Sequence, residues 1–435
     1  MKAVLLAAGE SSRFWPLSEG HHKSLFCLMG KPLIQWTLEA LERVGVKEII
    51  IVQAPTQAVE RALKDVELKL RVRYVVQEQP KGMGDALRAA SRELEDSFFL
   101  LHAHEFTADL WLKLMMKKSR ATRAKMILAG QATQEPWKYG MLALKGDRVT
   151  RIVEKPAAKD APSEVRALGI YLLPREFLDD LTHVKEHPYA YEEALGRYMG
   201  KQDVRVVIQE ETSPSIKYPW DLLAATRLLM DEHLEAYRAP TAQVSPLAHL
   251  EGEIYIGERV KIHEYAVIKG PCYIGNDCVI GTHALVREYT DLEDGVVIGA
   301  HAEVARCLFQ EKSSTHSGYF GDSIFDRGAR AGAGTVTANV KVHRDEIRPI
   351  VKGQRVPTGL RSLGAIVGAK TQLGISAMTM PGVLIGANSF VGPGTVVDEN
   401  VPSSTRLYLR QDRVMKRKKA RRERLSTVDK GEGIC

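Results

Sequence analysis

Cysteine is scarce in this sequence: five residues in 435, namely Cys27, Cys272, Cys278, Cys307 and Cys435, and no CxxC pair among them. So few, and an odd number, argues against a disulfide framework or a zinc ribbon. Cys272 and Cys278 read as two small buried residues. Long hydrophobic runs are missing as well. The first apolar stretch, Ala3 to Ala8, follows a single Lys at position 2. It is too short for a signal-peptide core or a bilayer span, so the expected location is cytoplasmic with no membrane-spanning segment.

Charge is nearly absent as a net quantity over most of the chain. The formal charge is +7, but residues 410–424 hold nine Lys or Arg against two Asp or Glu. The other 420 residues carry 52 basic and 52 acidic side chains. The basic balance therefore belongs to a tail, and residues 406–435 read as a basic, disordered segment. Such a charge block is ordinarily a solvated tail; its functional reading is contact with an anionic partner, nucleic acid or a membrane surface.

Two organisations are present. In the first, short apolar strands alternate with helices. Residues 3–8 read as a buried strand ending at Gly9, residues 32–44 as an amphipathic helix stopped by Gly45, and 49–52, the region of Val75–Val76 and 98–101 as further strands. This predicts an α/β domain with a mostly parallel sheet covered on both faces. A helical pattern from Trp220 to Arg238, ended by Ala239-Pro240, sets the expected domain boundaries at 1–238 and 239–405.

In the second, Ile256, Ile262, Ile268, Ile274, Ile280, Val286, Leu292, Ile298 and Val304 recur every sixth residue. The register lapses over 306–318 and returns as Val367, Leu373, Thr379, Ile385, Val391 and Val397. A six-residue period predicts a triangular parallel β-helix, with the aliphatic side chains stacked inside and Gly or Asn at corners of positive φ. The lapse at 306–318 is expected to be a loop carrying chemistry.

The first strand runs into LAAGESSRFWPL (6–17), with Lys23 beyond. Small residues and Gly after a strand let backbone N–H groups approach a phosphate, and Arg13 and Lys23 add positive charge. Then follow VQEQPKGMGDAL (76–87), KYGML (138–142), VEKP (153–156), ALGIY (167–171) and PWDLL (219–223). Taken in order, these stretches resemble the sugar-1-phosphate nucleotidylyltransferases over residues 1–235. The resemblance implies in-line attack of a sugar 1-phosphate oxygen on the α-phosphorus of UTP or dTTP, with pyrophosphate leaving and Mg²⁺ bridging the phosphates. Arg13 and Lys23 would hold phosphates; Ala7, Ala8, Gly9, Gln77, Gly82 and Met83 would hold the nucleotide; Gly140 and Glu154 would hold the sugar. Asp221 matches one metal carboxylate. At the other metal position the family has Asp, whereas LLHAHEF (100–106) puts His104 there and Glu105 next to it. Imidazole is a poor Mg²⁺ ligand, and Glu105 replaces the Asp only if the strand has already ended. Ala167 stands where the family commonly has Asn.

HSGYFGDSI (316–324), GAGTVTAN (332–339), 351–374 and MPGVLIG (380–386) resemble the bifunctional enzymes that make UDP-N-acetylglucosamine, particularly the archaeal type. The resemblance implies that His316 deprotonates the amine of glucosamine 1-phosphate for attack on acetyl-CoA. Arg287 and Tyr319 would bind the sugar phosphate, Asn339 the sugar, and Ala333 would lie near the thioester. It also implies a homotrimer with sites between subunits. Ala305 and Arg330 depart from the family's Lys and Asn. The leading reading is a bifunctional enzyme. The alternatives are a single-activity nucleotide-sugar pyrophosphorylase with a structural β-helix, and a non-enzymatic trimeric scaffold.

Overall fold

The computed structural model describes residues 1–20, 22–209 and 214–416. The expected disordered tail over 406–435 is corrected at its start, where Arg406–Leu407 is a strand paired with Phe390–Val391; from 417 on, with Cys435, the expectation lies outside the described residues.

The N-terminal half is built on a nine-stranded sheet. From one edge the order is Arg71–Val76, Glu48–Gln53, Lys2–Ala7, Phe98–His102, Val165–Leu173, Met126–Ala132, Val204–Gln209, Arg148–Glu154 and Gly140–Lys145. The first four strands are parallel. Val165–Leu173 runs antiparallel to both its neighbours, and the last two strands form an antiparallel hairpin. Apolar side chains cover both faces. Val4, Ile50, Leu100 and Leu128 pack under the helix Ala190–Met199, while Leu5, Ile51, Leu101 and Ile127 pack under Leu33–Arg43 and Ala108–Thr122. Two layers of helix on a central sheet bury the near-continuous apolar runs that the sequence displays.

The helix expected over 220–238 is shorter, Asp221–His233. Tyr237–Arg238 is already the first strand of the solenoid, paired in parallel with Tyr255–Ile256. Arg406–Leu407 is its last, paired with Phe390–Val391. Between them the left-handed β-helix stacks three parallel sheets of eight, nine and eight strands. The sixth-residue aliphatics form its interior, from Ile256 to Val397. Cys272 and Cys278, six apart, lie on successive faces of one coil, both buried and free.

Two expectations about the solenoid are corrected. The Gly that follows the aliphatic residue is not there for positive φ. A Cβ at Gly257 or Gly275 would come within 2.9 Å of the backbone nitrogen one coil above, so close coil stacking excludes a side chain. Positive φ falls two residues later, at Arg259, Asp277, His283 and His301. The lapse at 306–318 is not an extruded loop either. Leu292 still pairs with Phe309, and Val304 with Phe320. The coils continue with shortened corners, and the aliphatics are replaced inside by Phe309, Phe320 and Phe325. The extrusion comes later, between the strands Thr335–Thr337 and Ile366–Val367, and carries its own hairpin, Ile350–Val351 with Gln354–Arg355.

One face of the prism is covered by the N-terminal half. Outward residues of the first sheet, Tyr273, Leu308, Ile324, Ile366 and Leu384, are buried against Phe14, Phe26, Leu33, Trp36 and Trp220. The two halves therefore share a hydrophobic core rather than a bare linker.

Candidate active sites

The strand Lys2–Ala7 delivers the loop that begins at Ala8 to the carboxyl edge of the sheet, where ligands of open α/β folds bind. A cavity of about 420 Å³ opens there, lined by Ala8, Gly9, Glu10, Ser11, Ser12, His22, Lys23, Gln77, Gly82, Met83, His102 and His104 among others. Most residues expected to hold the nucleotide thus converge from two separate motifs. Ala7 does not line it; its side chain is buried in the core beneath. A Cβ on Gly9 would meet no protein atom, so neither packing nor φ demands glycine there, and the open space faces the cavity. Gly82 has φ +102°, and a Cβ would strike the Pro188 carbonyl at 2.7 Å. The Gln77 amide nitrogen donates to Asp85 Oδ2 at 2.8 Å and to the Gly82 carbonyl at 3.2 Å.

Lys23 is the central cation. Its Nζ donates to the Ile216 carbonyl. Burial pushes its pKa down to about 8, opposed by the negative charges of Glu105 and Asp221. Burial raises Glu105 to about 7, held down by Lys23 and Arg166. Burial also raises Asp221 to about 6, although its Oδ2 accepts the Lys217 and Tyr218 N–H groups at 2.7 Å each. Asp221 lines a second cavity, of about 280 Å³, with Gln131, Tyr139 and Arg166. Lys23 lines the first cavity and Asp221 the second, and the charges of Glu105 and Asp221 both act on Lys23.

The strand's end bears on the metal position. The strand ends at His102, and Glu105 closes a turn through its N–H to the His102 carbonyl. The alternation of faces has lapsed, so Glu105 is free to turn its carboxylate toward Lys23. His104 is buried, stacked on His102 with ring centroids 5.3 Å apart, and its Nδ1 has no hydrogen-bond partner. Burial drives its pKa well down, assisted by Lys23, so the ring is neutral. Among the described residues no group of three or more acidic, His or Cys side chains is arranged around a metal position. Two carboxylates fit Mg²⁺, which takes the rest of its ligands from phosphates and water.

Arg13 is exposed and lies outside the first cavity, close enough to Lys217 to add to the depression of its pKa by burial. The Glu154 carboxylate overhangs Gly140, where an added Cβ would approach it to 2.6 Å. Sequence reasoning missed Arg166. Its guanidinium stacks on Tyr139 at 4.2 Å and donates to Gln131 Oε1 at 2.6 Å. Its position immediately before ALGIY was the available signal.

The solenoid residues fall into two groups. At one edge of the third sheet, Arg287 Nη1 donates to Glu303 at 3.1 Å, and Arg306 binds Asp322 and Glu288. Asp322 also accepts from Asn339 Nδ2 at 2.6 Å, and the Tyr319 hydroxyl reaches Asn339 Oδ1 at 3.5 Å. At the opposite edge His316 is exposed, its N–H bonded to the Ala331 carbonyl. Ala333 lies one coil above at the same corner, where the Gly334 N–H bonds Ser317 Oγ at 3.1 Å. The strand Gly318–Gly321 separates the two groups.

Comparison with known proteins agrees with both halves. The Nucleotidyl transferase family matches residues 2–220, and the bacterial transferase hexapeptide family matches 253–288. The "Bifunctional protein GlmU" of Methanococcus maripaludis strain C7 is 30% identical over 96% of this chain and 100% of its own. The "Bifunctional sugar-1-phosphate nucleotidylyltransferase/acetyltransferase" of Sulfurisphaera tokodaii is 28% identical over 92% and 98%. A solved UDP-glucose pyrophosphorylase from Acinetobacter baumannii superimposes with a TM-score of 0.46 at 22% identity, over 53% of this chain and 94% of its own. The chain belongs to the family of bifunctional transferases in which a sugar-1-phosphate nucleotidylyltransferase domain is fused to a hexapeptide acetyltransferase domain.

Proposed function

We propose that the chain acetylates glucosamine 1-phosphate from acetyl-CoA and then transfers a uridylyl group to the product, making UDP-N-acetylglucosamine. The observation that carries the nucleotidyl half is the convergence of Gly9, Lys23, Gln77, Gly82 and Met83 on one cavity, where the charge of Asp221, from the second cavity, acts on Lys23. The sugar 1-phosphate oxygen attacks the α-phosphorus of the triphosphate. The bond from that phosphorus to the bridging oxygen breaks, and pyrophosphate leaves. Lys23 and Arg13 neutralise phosphate charge, which is the main barrier to bringing two polyanions together. With its nitrogen spent on Asp85 and Gly82, Gln77 offers its carbonyl to a base N3–H. Uracil and thymine have that donor and cytosine does not, which favours UTP or dTTP. Arg166, Tyr139, Gly140 and Glu154 would meet the sugar. Glu105 and Asp221 would hold Mg²⁺, which supplies charge neutralisation of the phosphates when bound; His104 would contribute no ligand to a hard cation.

In the acetyl half, His316 would take a proton as the glucosamine nitrogen attacks the thioester carbon, and the CoA thiolate would leave and be protonated. Arg287, Tyr319 and Asn339 would hold the acceptor, and Ala333 would border the thioester. His316 and Arg287 stand at opposite edges of one face, which favours a homotrimer in which neighbouring copies complete each site. Exposed Val297, Met378 and Val396 on the two uncovered faces support such contacts. Among the described residues no helix is long and apolar enough to cross a membrane.

The test is a paired assay with Mg²⁺. Glucosamine 1-phosphate with acetyl-CoA should release CoA, and N-acetylglucosamine 1-phosphate with UTP or dTTP should release pyrophosphate. Release of neither product across a panel of sugar phosphates would refute the reading.

A further inference from the structure

Among the described residues, the segment from Ser12 to Gly30 carries both Arg13 and Lys23 and contains two single-turn 3₁₀ helices and the first strand of a two-residue hairpin. Its own domain ties it by turn bonds, by the Leu33 N–H to the Phe26 carbonyl and by Trp36 Nε1 to the Leu28 carbonyl. It is bonded to the β-helix as well. Gln310 clamps Cys27 at both ends of the residue, with Nε2 donating to the Cys27 carbonyl at 2.9 Å and Oε1 accepting its N–H at 3.4 Å. The next turn is held by two buried carboxylates. Asp291 Oδ2 accepts the Met29 N–H at 2.8 Å, and Glu293 Oε1 accepts the Gly30 N–H at 3.0 Å. At the other end, Lys352, at the tip of the extruded hairpin, donates to Ser12 Oγ at 2.7 Å. Ser12 is itself on the wall of the nucleotide cavity. Midway, Ser403 bonds Glu19.

We propose that the β-helix is the platform on which the phosphate-binding segment of the nucleotidyltransferase is assembled, with Gln310, Asp291 and Glu293 positioning Lys23 and Lys352 fixing the rim of the phosphate loop. The inference rests on the nucleotidyl-transfer reading and deepens it: the second domain is a part of the first domain's site. The physical argument is one of order. A lysine that must meet a triphosphate in a fixed geometry loses rate steeply when its backbone wanders, by roughly 10²-fold for a displacement of about 1 Å. Four hydrogen bonds within seven residues of Lys23, all made by the buried side chains of Gln310, Asp291 and Glu293, restrict that freedom without using any group that touches substrate.

The experiment uses the full chain and the pair Gln310→Ala and Lys352→Ala, singly and together, with Lys352→Arg as the conservative control. Pyrophosphate release and CoA release are measured on the same preparations, and amide hydrogen exchange is followed over residues 12–30. The expected result for the double variant is a rise in KM for the nucleoside triphosphate and a fall in kcat of pyrophosphate release. Together these should lower kcat/KM by roughly 10- to 100-fold, with CoA release within about twofold and faster exchange confined to 12–30. Lys352→Arg should retain most of the wild-type rate. Parallel loss of both activities, or unchanged pyrophosphate release with unchanged exchange, would overturn the platform. A wild-type chain that releases no pyrophosphate counts against the functional reading instead; the platform is then judged by the exchange of 12–30 alone.

Discussion

Arg306 and Asp322 form a two-pronged ion pair, Nε to Oδ1 at 2.7 Å and Nη2 to Oδ2 at 3.0 Å. Ala305 is uncharged and leaves Arg306 as the next positive charge along the chain. The pairing commits it to Asp322 and Glu288 rather than to a ligand phosphate. Burial alone would raise the Asp322 pKa, but hydrogen bonds from Arg306, Ser362 and Asn339 hold it below the usual range. Replacing Asp322 with Ala leaves Arg306 with Glu288 as its remaining carboxylate partner and frees Asn339 from its bond to Asp322. The expected loss is about 1 to 3 kcal/mol of stability, read by denaturant unfolding, together with a raised KM for the amino-sugar phosphate.

Lys23 should set the alkaline limb of nucleotidyl transfer. The charged form is the active one, and burial brings its pKa down to about 8. The kcat/KM for pyrophosphate release should therefore fall as pH rises through about 8. Lys23→Arg should abolish that limb, because a guanidinium stays charged. Lys23→Ala should cost roughly 10²- to 10³-fold at neutral pH, the scale of losing one preorganised charge donor.

Glu105 and His104 can be separated by substitution. Glu105→Gln removes a carboxylate from beside Lys23 and should lower pyrophosphate release strongly at fixed Mg²⁺. His104→Ala removes a neutral, stacked ring and should cost far less. The reverse order, measured on preparations of matched thermal stability, would return the metal role to position 104.

His316→Ala should reduce CoA release by roughly 10²- to 10⁴-fold, the usual contribution of a general base. Pyrophosphate release should be unaffected, since His316 lies on the solenoid away from the shared core. Unchanged CoA release would reject the assignment.

Asp291 links pH to stability. Burial raises its carboxyl above the usual carboxylate range, while the hydrogen bond from Met29 opposes the shift. Glu293, Asp294, Tyr273 and Arg327 share its surroundings. The folded chain keeps this proton where the unfolded chain has lost it. The stabilisation is therefore complete below the unfolded pKa and disappears as pH rises through the raised folded value. Asp291→Asn keeps an acceptor for Met29 and cannot ionise. Its melting temperature relative to wild type should climb between pH 4 and pH 8, as read by scanning calorimetry across that range.

Much of this was legible in the sequence. The sixth-residue aliphatics are geometry written directly in composition, and the ordered N-terminal motifs converge as their order implies. Three things were not legible, each for a physical reason. Phe309, Phe320 and Phe325 take over the solenoid interior where corners shorten, so a strict period of six loses the coil. Glu105 becomes available only because the strand stops at His102, and a strand's end is set by pairing with Leu6 rather than by local propensity. The covered prism face has a signal at every eighteenth residue, Tyr237, Tyr255 and Tyr273, that a search on a period of six averages away.

The covered face also fixes how substitutions in the β-helix can be sorted. A prism has three sides, and this chain spends one on itself. A change in the column of Tyr273, Leu308 and Ile324 strikes the joint between two catalytic units of one molecule, and its effect should be independent of protein concentration. Under the proposed homotrimer, a change at Val297 or Met378, exposed on the two uncovered faces, is expected to weaken the contact between copies, and its effect should grow on dilution. A residue's place around the coil thus foretells the order of the reaction by which its loss is felt.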